Sequence, residues 1–202
     1  IISRVEGPVK VRSAIAEFKF STPDDVTIIS PRIENNIVVS NSEMVFAGFG
    51  IVAPEYGWND YDGLDVKDKT VVVLVNDPGL YTGDTTLFKG PEMTYYGRWT
   101  YKYEEAARQG ATGVLIIHET LGAGYDYTIP RKSSVTPNLY IQSADGNSSR
   151  CRFTGWISSE TAGLLMKTKS LDVAELRSEA CKREFRGFPM EMKISLDITN
   201  TI

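Results

Sequence analysis

The sequence has few of the residues that most often carry out chemistry. It contains one histidine and two cysteines in 202 residues, and no Cys-x-x-Cys pair. The histidine, His118, directly follows an apolar run that ends at Ile117, so we expect a buried structural histidine rather than a catalytic base. Serine and cysteine hydrolases of the triad type need a histidine base held by a carboxylate. The residues therefore predict a chain with no catalytic site, metal site or cofactor of its own.

Long apolar runs and an excess of positive charge are also missing. No run approaches the about 20 apolar residues of a membrane-spanning helix. Lys and Arg number 22 against 26 Asp and Glu, which gives a net charge of −4. Nucleic acids and anionic membranes attract basic surfaces, so we expect neither as a partner. The chain begins with Ile1 and shows no signal-peptide pattern, so we expect a processed or trimmed fragment.

The two cysteines leave two alternatives open. Cys151 and Cys181 are too few and too far apart in sequence for a zinc-knuckle pattern. They can form one disulfide or remain free thiols. Cys181 falls on the apolar face of a predicted helix, which favours a packed thiol.

The clearest fold signal lies in residues 70–119. Val71–Val75 and Val114–Ile117 are continuous β-branched or aliphatic runs, typical of strands buried on both faces. The segment between them has helical periodicity, and Gly110 is placed to end that helix in a left-handed conformation. A compact strand–helix–strand unit predicts a right-handed parallel crossover.

The helix of this crossover has an apolar face and a polar face. Positions i, i+4, i+7 and i+8 carry the apolar side chains, namely Trp99, Tyr103, Ala106 and Ala107. We therefore expect Trp99 in the core, with Lys102 and Glu105 facing solvent. Glu104 precedes Arg108 by four residues, which is the favourable order for a helical ion pair.

The region before the crossover predicts short strands. Residues 1–42 contain several, separated by turns, and Met44–Ala53 is a more definite strand. Gly48 and Gly50 match part of the dinucleotide-binding pattern, but a turn follows instead of a helix, so they indicate a bulge or close strand packing. The acidic stretch 55–69 lacks the order of a calcium loop, so we expect a solvated loop.

The region after the crossover predicts a loop, strands and two helices. We expect a loop at 121–132, strands at 135–141, 153–157 and 190–198, and helices that begin after Ser158 and after Asp172. Asp172 and Glu175 form an acidic analogue of a capping box. The last strand alternates apolar and polar residues, which indicates a half-buried antiparallel strand.

Two blocks of this sequence resemble the protease-associated (PA) domain inserted into zinc-dependent aminopeptidases. The first block comprises Glu43–Ile51, Ala53–Glu55, Trp58–Tyr61 and Gly63–Lys67, and the second comprises Met93–Lys102 and Glu104–Ala111. The second block is the more specific part of the pattern. The likeness extends over residues 43–198 and does not include residues 1–42.

The resemblance implies an α/β (α+β) fold with three layers, β/β/α, and a partly parallel sheet. One PA-like domain is then expected over residues 1–202, with residues 43–198 as its core. The resemblance also implies a parent enzyme whose two zinc ions are held by a separate peptidase lobe, absent from this chain. Such parents are commonly exported, so a periplasmic or secreted location is implied.

Three functions follow as hypotheses. The first is a non-catalytic accessory domain whose partner is the peptidase lobe of the same parent chain, with peptide substrate as a second candidate partner. The alternative is a standalone protein- or peptide-binding module of PA fold, and the third is an autonomous enzyme. An inserted domain needs both ends near one surface, so we expect the strand at 190–198 close to a strand within 1–42.

The candidate interface patch consists of Tyr95, Tyr96 and Arg98. These residues form the approach to the N-terminus of the crossover helix, and Tyr and Arg are enriched at interface hot spots. Loops after the carboxyl ends of parallel strands are also where open α/β sheets tend to meet ligands. We expect the patch to face the peptidase lobe; in the alternative, the tyrosines only pack the start of the helix.

Overall fold

Nine strands form one mixed sheet that curls into a nearly closed barrel. The computed structural model describes all residues, 1–202. The strands are β1 (Ile2–Val5), β2 (Val9–Arg12), β3 (Glu17–Phe20), β4 (Val26–Ile29), β5 (Asn36–Phe46), β6 (Val52–Ala53), β7 (Trp58–Asn59), β8 (Thr70–Leu74), β9 (Gly113–Ile117), β10 (Phe153–Ile157) and β11 (Phe188–Thr201). The main sheet has the order β3-β2-β11-β5-β8-β9-β10-β4, with β1 paired to β11, while β6 and β7 form a separate hairpin.

Six α-helices and two 3-10 turns complete the mixed α/β fold. The helices are α1 (Gly79–Thr82), α2 (Trp99–Arg108), α3 (Thr120–Ala123), α4 (Thr128–Ser134), α5 (Ser159–Lys167) and α6 (Val173–Ala180), and the 3-10 turns are Pro54–Tyr56 and Tyr95–Gly97. None of these helices has the length and apolar character needed to cross a membrane.

The predicted crossover is present. β8 pairs in parallel with β9, with Val71 opposite Val114, and α2 lies between them in the chain. β10 continues the parallel set on the other side of β9. α2 packs on one face of these strands, where Ala106 joins Val114 in a shared apolar cluster. The opposite face packs against the rest of the curled sheet and against α5 and α6.

The two C-terminal helices begin where their capping residues predict. Ser158 Oγ accepts a hydrogen bond from the amide of Thr161 at 3.1 Å, ahead of α5. Asp172 Oδ1 accepts from the amides of Ala174 and Glu175 at 2.8 and 3.1 Å, ahead of α6. These side chains satisfy amide groups that a helix N-terminus leaves without partners.

The N-terminal and C-terminal strands are neighbours, as expected. β1 pairs antiparallel with the end of β11, so that Ile2 lies opposite Thr201. β2 pairs with the earlier part of β11, and β5 covers its other edge. Side chains along β11 alternate between buried and accessible, which confirms the half-buried antiparallel strand.

The prediction for the faces of α2 was wrong for Trp99, Lys102 and Glu105, although Ala106 is buried as expected. The helix buries Tyr101, Lys102, Glu105 and Ala106. Trp99 is 45% exposed, and Lys102 is completely buried. The burial of Lys102 and Glu105 is possible because their polar atoms have partners: Lys102 Nζ donates to the carbonyl of Asn76, and Glu105 accepts from Arg108 at 2.8 Å. Arg108 therefore pairs with Glu105 and not with Glu104.

The segment after the crossover also differs from the prediction. The expected loop at 121–132 contains most of α3 and most of α4, and the expected strand at 135–141 forms no strand. The start of α4 is stabilised locally, because Asp126 Oδ1 accepts from the amide of Thr128 at 2.9 Å and Pro130 lies in the first turn, where its missing N–H costs nothing.

The predicted strand 44–53 is interrupted by a glycine turn. β5 ends at Phe46, and the backbone then passes through left-handed conformations at Gly48 (φ +52°) and Gly50 (φ +65°). A Cβ atom at Gly50 would lie 2.7 Å from Val73 Cγ1, so this position requires glycine. This close packing confirms the structural interpretation of the glycines.

Candidate functional site

The predicted patch lies on the surface at the start of α2. Tyr95 and Tyr96 belong to the 3-10 turn that leads into the helix, and Arg98 is the last residue before the helix. Tyr95 and Arg98 are exposed, and Tyr96 is half-buried. The three residues thus lie close together in the chain and in part face solvent; their role in binding stays a prediction.

Close backbone packing fixes the position of this segment. A Cβ atom at Gly97 would lie 2.8 Å from Asn76 Oδ1 and 3.1 Å from Asp77 Oδ2, so only glycine fits without displacement. Thr94 Oγ1 also donates to Asp77 Oδ2 at 2.7 Å. Asn76 and Asp77 lie two and three residues after the end of β8, so the patch sits at the carboxyl end of a parallel strand.

Each tyrosine of the patch donates a hydrogen bond to a carboxylate. Tyr96 Oη donates to Glu55 Oε1 at 2.5 Å, and Tyr95 Oη donates to Glu104. The hydrogen bond to Glu55 raises the pKa of Tyr96 to about 12, and the same bond lowers the pKa of Glu55. Both rings also pack edge-on against Tyr101, with centroids 5.4 and 5.0 Å away. The tyrosines therefore help to pack the start of the helix.

A buried polar cluster, comprising Lys102, Asp60, Asn76 and Asp77, supports the patch from beneath. Lys102 Nζ donates to the carbonyl oxygen of Asn76 at 2.8 Å. Burial lowers the pKa of Lys102, and attraction to Asp60 and then Asp77 opposes that change. Burial likewise raises the pKa of Asp60 and of Asp77. All four residues are buried, so the cluster packs beneath the patch as an internal polar support.

Asp60 links this cluster to the glycine turn. Its Oδ2 atom accepts from the amide of Ile51 at 2.9 Å, and a Cβ atom at Gly48 would lie 2.9 Å from its Oδ1 atom. Asp60 is buried, so the prediction of a solvated loop at 55–69 was wrong at this residue. Sequence reasoning missed the cluster because lysine and aspartate are usually exposed. The turn residues that follow β8 were the only signal for it.

His118 occupies a structural position. Its ring is buried, its Nε2 atom lies 3.1 Å from the carbonyl oxygen of Tyr125, and it packs against Tyr127 and Trp156. Burial lowers the pKa of His118, so the neutral ring is favoured. With Nε2 protonated, the ring donates to Tyr125. These contacts confirm the predicted buried histidine.

The structure holds both cysteines as free thiols. Cys151 is buried and Cys181 is half-buried. The structure contains no group of three or more His, Cys, Asp or Glu side chains arranged to hold a metal ion.

A groove of about 630 Å³ lies next to the exposed side of α2. Trp99 and Tyr103 form one wall, and Leu139, Tyr140 and Arg150 form part of the other. Trp99, which the sequence predicted in the core, therefore lines a surface groove beside the patch. Its ring packs edge-on against Tyr103 with centroids 5.4 Å apart.

Comparisons with known proteins leave the family open. No family model matches the chain, and no curated protein matches it. Ten chains of solved structures do match, among them an aminopeptidase from Aneurinibacillus sp. strain AM-1. That match has a TM-score of 0.38 and 14% sequence identity, and it covers 98% of this chain. This chain spans 32% of the length of that aminopeptidase, and a likeness this low assigns no function.

Proposed function

We propose that this chain is a non-catalytic accessory domain of an exported zinc-dependent aminopeptidase, with the three-layer arrangement of a PA domain. The zinc ions, in this proposal, belong to a peptidase lobe of the same parent chain. One observation carries the proposal: the two sequence blocks that resemble inserted PA domains are in contact. Tyr96 of the second block donates a hydrogen bond to Glu55 of the first block, and Tyr101 bonds to the backbone of Val52, which lies between two segments of the first block.

The pairing of β1 with β11 also supports an inserted domain. Ile2 and Thr201 are opposite each other, so both connections to a host lobe can leave from one place. A domain joined in this way is held against its host by two covalent links.

In this proposal the patch of Tyr95, Tyr96 and Arg98 contacts the peptidase lobe and shapes access to its cleft. Arg98 is exposed and forms no ion pair. A cation at a helix N-terminus is opposed by the helix dipole, so Arg98 is a poor choice for stabilising α2. Its position is better explained by a contact with an acidic or peptide-like partner surface.

The role of the patch can be tested with Arg98→Ala in the full-length parent. We expect its unfolding free energy to change by less than about 0.5 kcal/mol, as for most surface substitutions. The kcat/KM for peptides should fall several-fold. Arg12→Ala is a control at a distant exposed arginine: Arg12 pairs with Glu17 and lies on β2, which β11 and β5 separate from β8 in the sheet. Unchanged peptide kinetics with a large loss of stability would reduce the patch to a packing role.

The accessory role can be tested by excision. Paired residues in an antiparallel ladder have Cα atoms about 5 Å apart, so a short Gly-Ser linker can replace residues 2–201 in the parent. Zinc-dependent turnover of an aminoacyl chromogenic substrate should persist, while turnover of longer peptides should change. Chelator-sensitive turnover by this chain alone would contradict the proposal. A parent reading frame without a peptidase lobe would instead favour a standalone binding module.

A further inference from the structure

The segment 138–142 carries an open backbone edge. At its start, the amino group of Ile1 donates to the carbonyl of Asn138, and the amide of Asn138 donates to the carbonyl of Ile1, both at 2.8 Å. Two reciprocal bonds of this kind define a hydrogen-bonded pair of an antiparallel ladder. Ile1 thus forms the first rung of a ladder along this segment.

Beyond Asn138 the edge has no partner. Residues 139–142 neither donate nor accept a backbone hydrogen bond within the chain. Leu139 and Ile141 are 95% and 85% exposed, whereas Tyr140 between them is half-buried. Over residues 139–141 this alternation matches the two-residue period of an extended backbone, with two large aliphatic side chains facing outward; Gln142 is exposed as well. An open strand edge with exposed apolar residues is a surface that proteins usually cover.

We propose that the polypeptide segment preceding Ile1 in the parent chain covers this edge as an added strand. The inference rests on the proposed function, in which a host chain runs into Ile1. The pairing of Ile1 with Asn138 fixes both direction and register. The residue second before Ile1 then faces Tyr140, and the fourth before Ile1 faces Gln142.

This occupant fits better than a separate strand. Ile1 already occupies the first rung, so a strand from another molecule would have to abut the end of β1. A segment continuous with Ile1 arrives in register and loses little translational freedom on pairing. The side chains of the first and third residues before Ile1 would lie on the same face as those of Leu139 and Ile141 and would cover them. The edge would then be buried by main-chain pairing, as in other cases of strand addition.

The test adds the residues Thr-Val-Thr-Val directly before Ile1 and follows amide hydrogen exchange. The two valines face Leu139 and Ile141, and the two threonines face Tyr140 and Gln142. We expect the amides of Tyr140 and Gln142 to exchange about tenfold more slowly than in the unextended chain, because they gain hydrogen bonds. The amides of Leu139 and Ile141 point away from the added strand and should not change.

A matched control replaces both threonines of the extension with proline, which removes the donors that face Tyr140 and Gln142. This extension should give clearly less protection, because each paired position then loses one of its two hydrogen bonds. Exchange at Tyr140 and Gln142 that is unchanged by Thr-Val-Thr-Val would overturn the proposal. Equal slowing at all four amides would overturn it too, because that pattern reports general stabilisation rather than pairing in this register.

The measurement uses this chain alone, so its result is separate from that of the proposed function. If the amides of Tyr140 and Gln142 do not exchange more slowly, the proposal of an added strand is refuted and the accessory role is unaffected. A parent without zinc-dependent peptidase activity would refute the accessory role, while alternate protection at Tyr140 and Gln142 would still demonstrate the strand edge.

Discussion

The hydroxyl group of Tyr101 lies between the two backbone polar groups of Val52. It accepts from the amide nitrogen at 3.1 Å and donates to the carbonyl oxygen at 3.0 Å. Tyr101 is a buried residue of α2, and Val52 belongs to the β6–β7 hairpin. One side chain therefore satisfies both polar groups of a residue in another element and holds the hairpin against the helix.

Replacing Tyr101 with Phe should destabilise the protein by about 1–3 kcal/mol, because the amide and carbonyl of Val52 lose their partner. Urea unfolding measures this loss. Tyr95→Phe is the control, since the hydroxyl of Tyr95 bonds only to Glu104 on the exposed surface. Equal losses of unfolding free energy in Tyr101→Phe and Tyr95→Phe would show that the hydrogen bonds to Val52 stabilise the protein no more than an exposed hydrogen bond does.

Lys102→Met should cost about 3–5 kcal/mol, the range for removing one partner from a buried charged group. The side chain keeps its approximate volume, but Asp60 and Asp77 lose the cation that lowers their pKa values. Without the cation, the folded-state pKa values of Asp60 and Asp77 rise further above their unfolded values. The unfolding free energy of the variant then falls as the pH rises towards those folded-state pKa values. The loss should therefore be larger at about pH 8 than at about pH 5.

The double variant Lys102→Met with Asp60→Asn is the control for this reasoning. Asn keeps an oxygen that can accept from the amide of Ile51, and it removes one unpaired carboxylate. The double variant should recover part of the stability at about pH 8. A cost of Lys102→Met that is the same at both pH values would mean that the carboxylates do not sense this lysine.

His118 should make the stability fall on acidification. Burial depresses its pKa in the folded state, so its contribution is complete above the unfolded pKa and is lost as the pH falls towards the folded pKa. We expect wild type to lose more unfolding free energy than His118→Gln between about pH 7.5 and about pH 5.5. Denaturant titrations at each pH measure the difference, and parallel curves for the two proteins would contradict it.

Two glycines should respond to alanine in opposite directions. Gly97→Ala forces a Cβ atom to 2.8 Å from Asn76 Oδ1 and should destabilise by about 1–3 kcal/mol. Gly163 lies within α5 with nothing within 4 Å of its Cβ position. Gly163→Ala should therefore stabilise by about 0.5–1 kcal/mol. Thermal unfolding compares the two directly, and loss of stability in both would argue that α5 does not tolerate a side chain there.

Local signals predicted the elements whose formation depends on local chemistry. The runs Val71–Val75 and Val114–Ile117 became parallel strands, and Ser158 and Asp172 cap their helices. Strand runs and caps are readable because the stabilising contacts lie within a few residues.

The faces of α2 were not readable, because the deciding contacts are distant in sequence. The long stem of Lys102 brings its ammonium group to the carbonyl of Asn76, 26 residues earlier in the chain. Trp99 stands at the first position of the helix, where its ring lies along the groove instead of the core. A hydrophobicity scale, which ranks residues by type, places Lys102 on the exposed face and Trp99 on the buried face, the opposite of what the structure shows. In the patch, Tyr95 and Arg98 are exposed and Tyr96 is half-buried, while the binding role of the patch remains a prediction.

The pairing of β11 determines when the fold can be completed during synthesis. β11 is hydrogen-bonded to β1, β2 and β5. These three earlier strands can complete their pairing only after β11 has emerged from the ribosome. Pairings between distant parts of a chain form slowly, and unpaired edges favour aggregation in the meantime. Apolar side chains such as Ile37 and Val39 on β5 are buried only once the fold closes. Production of this protein should therefore depend strongly on temperature and on chaperones that hold nascent chains.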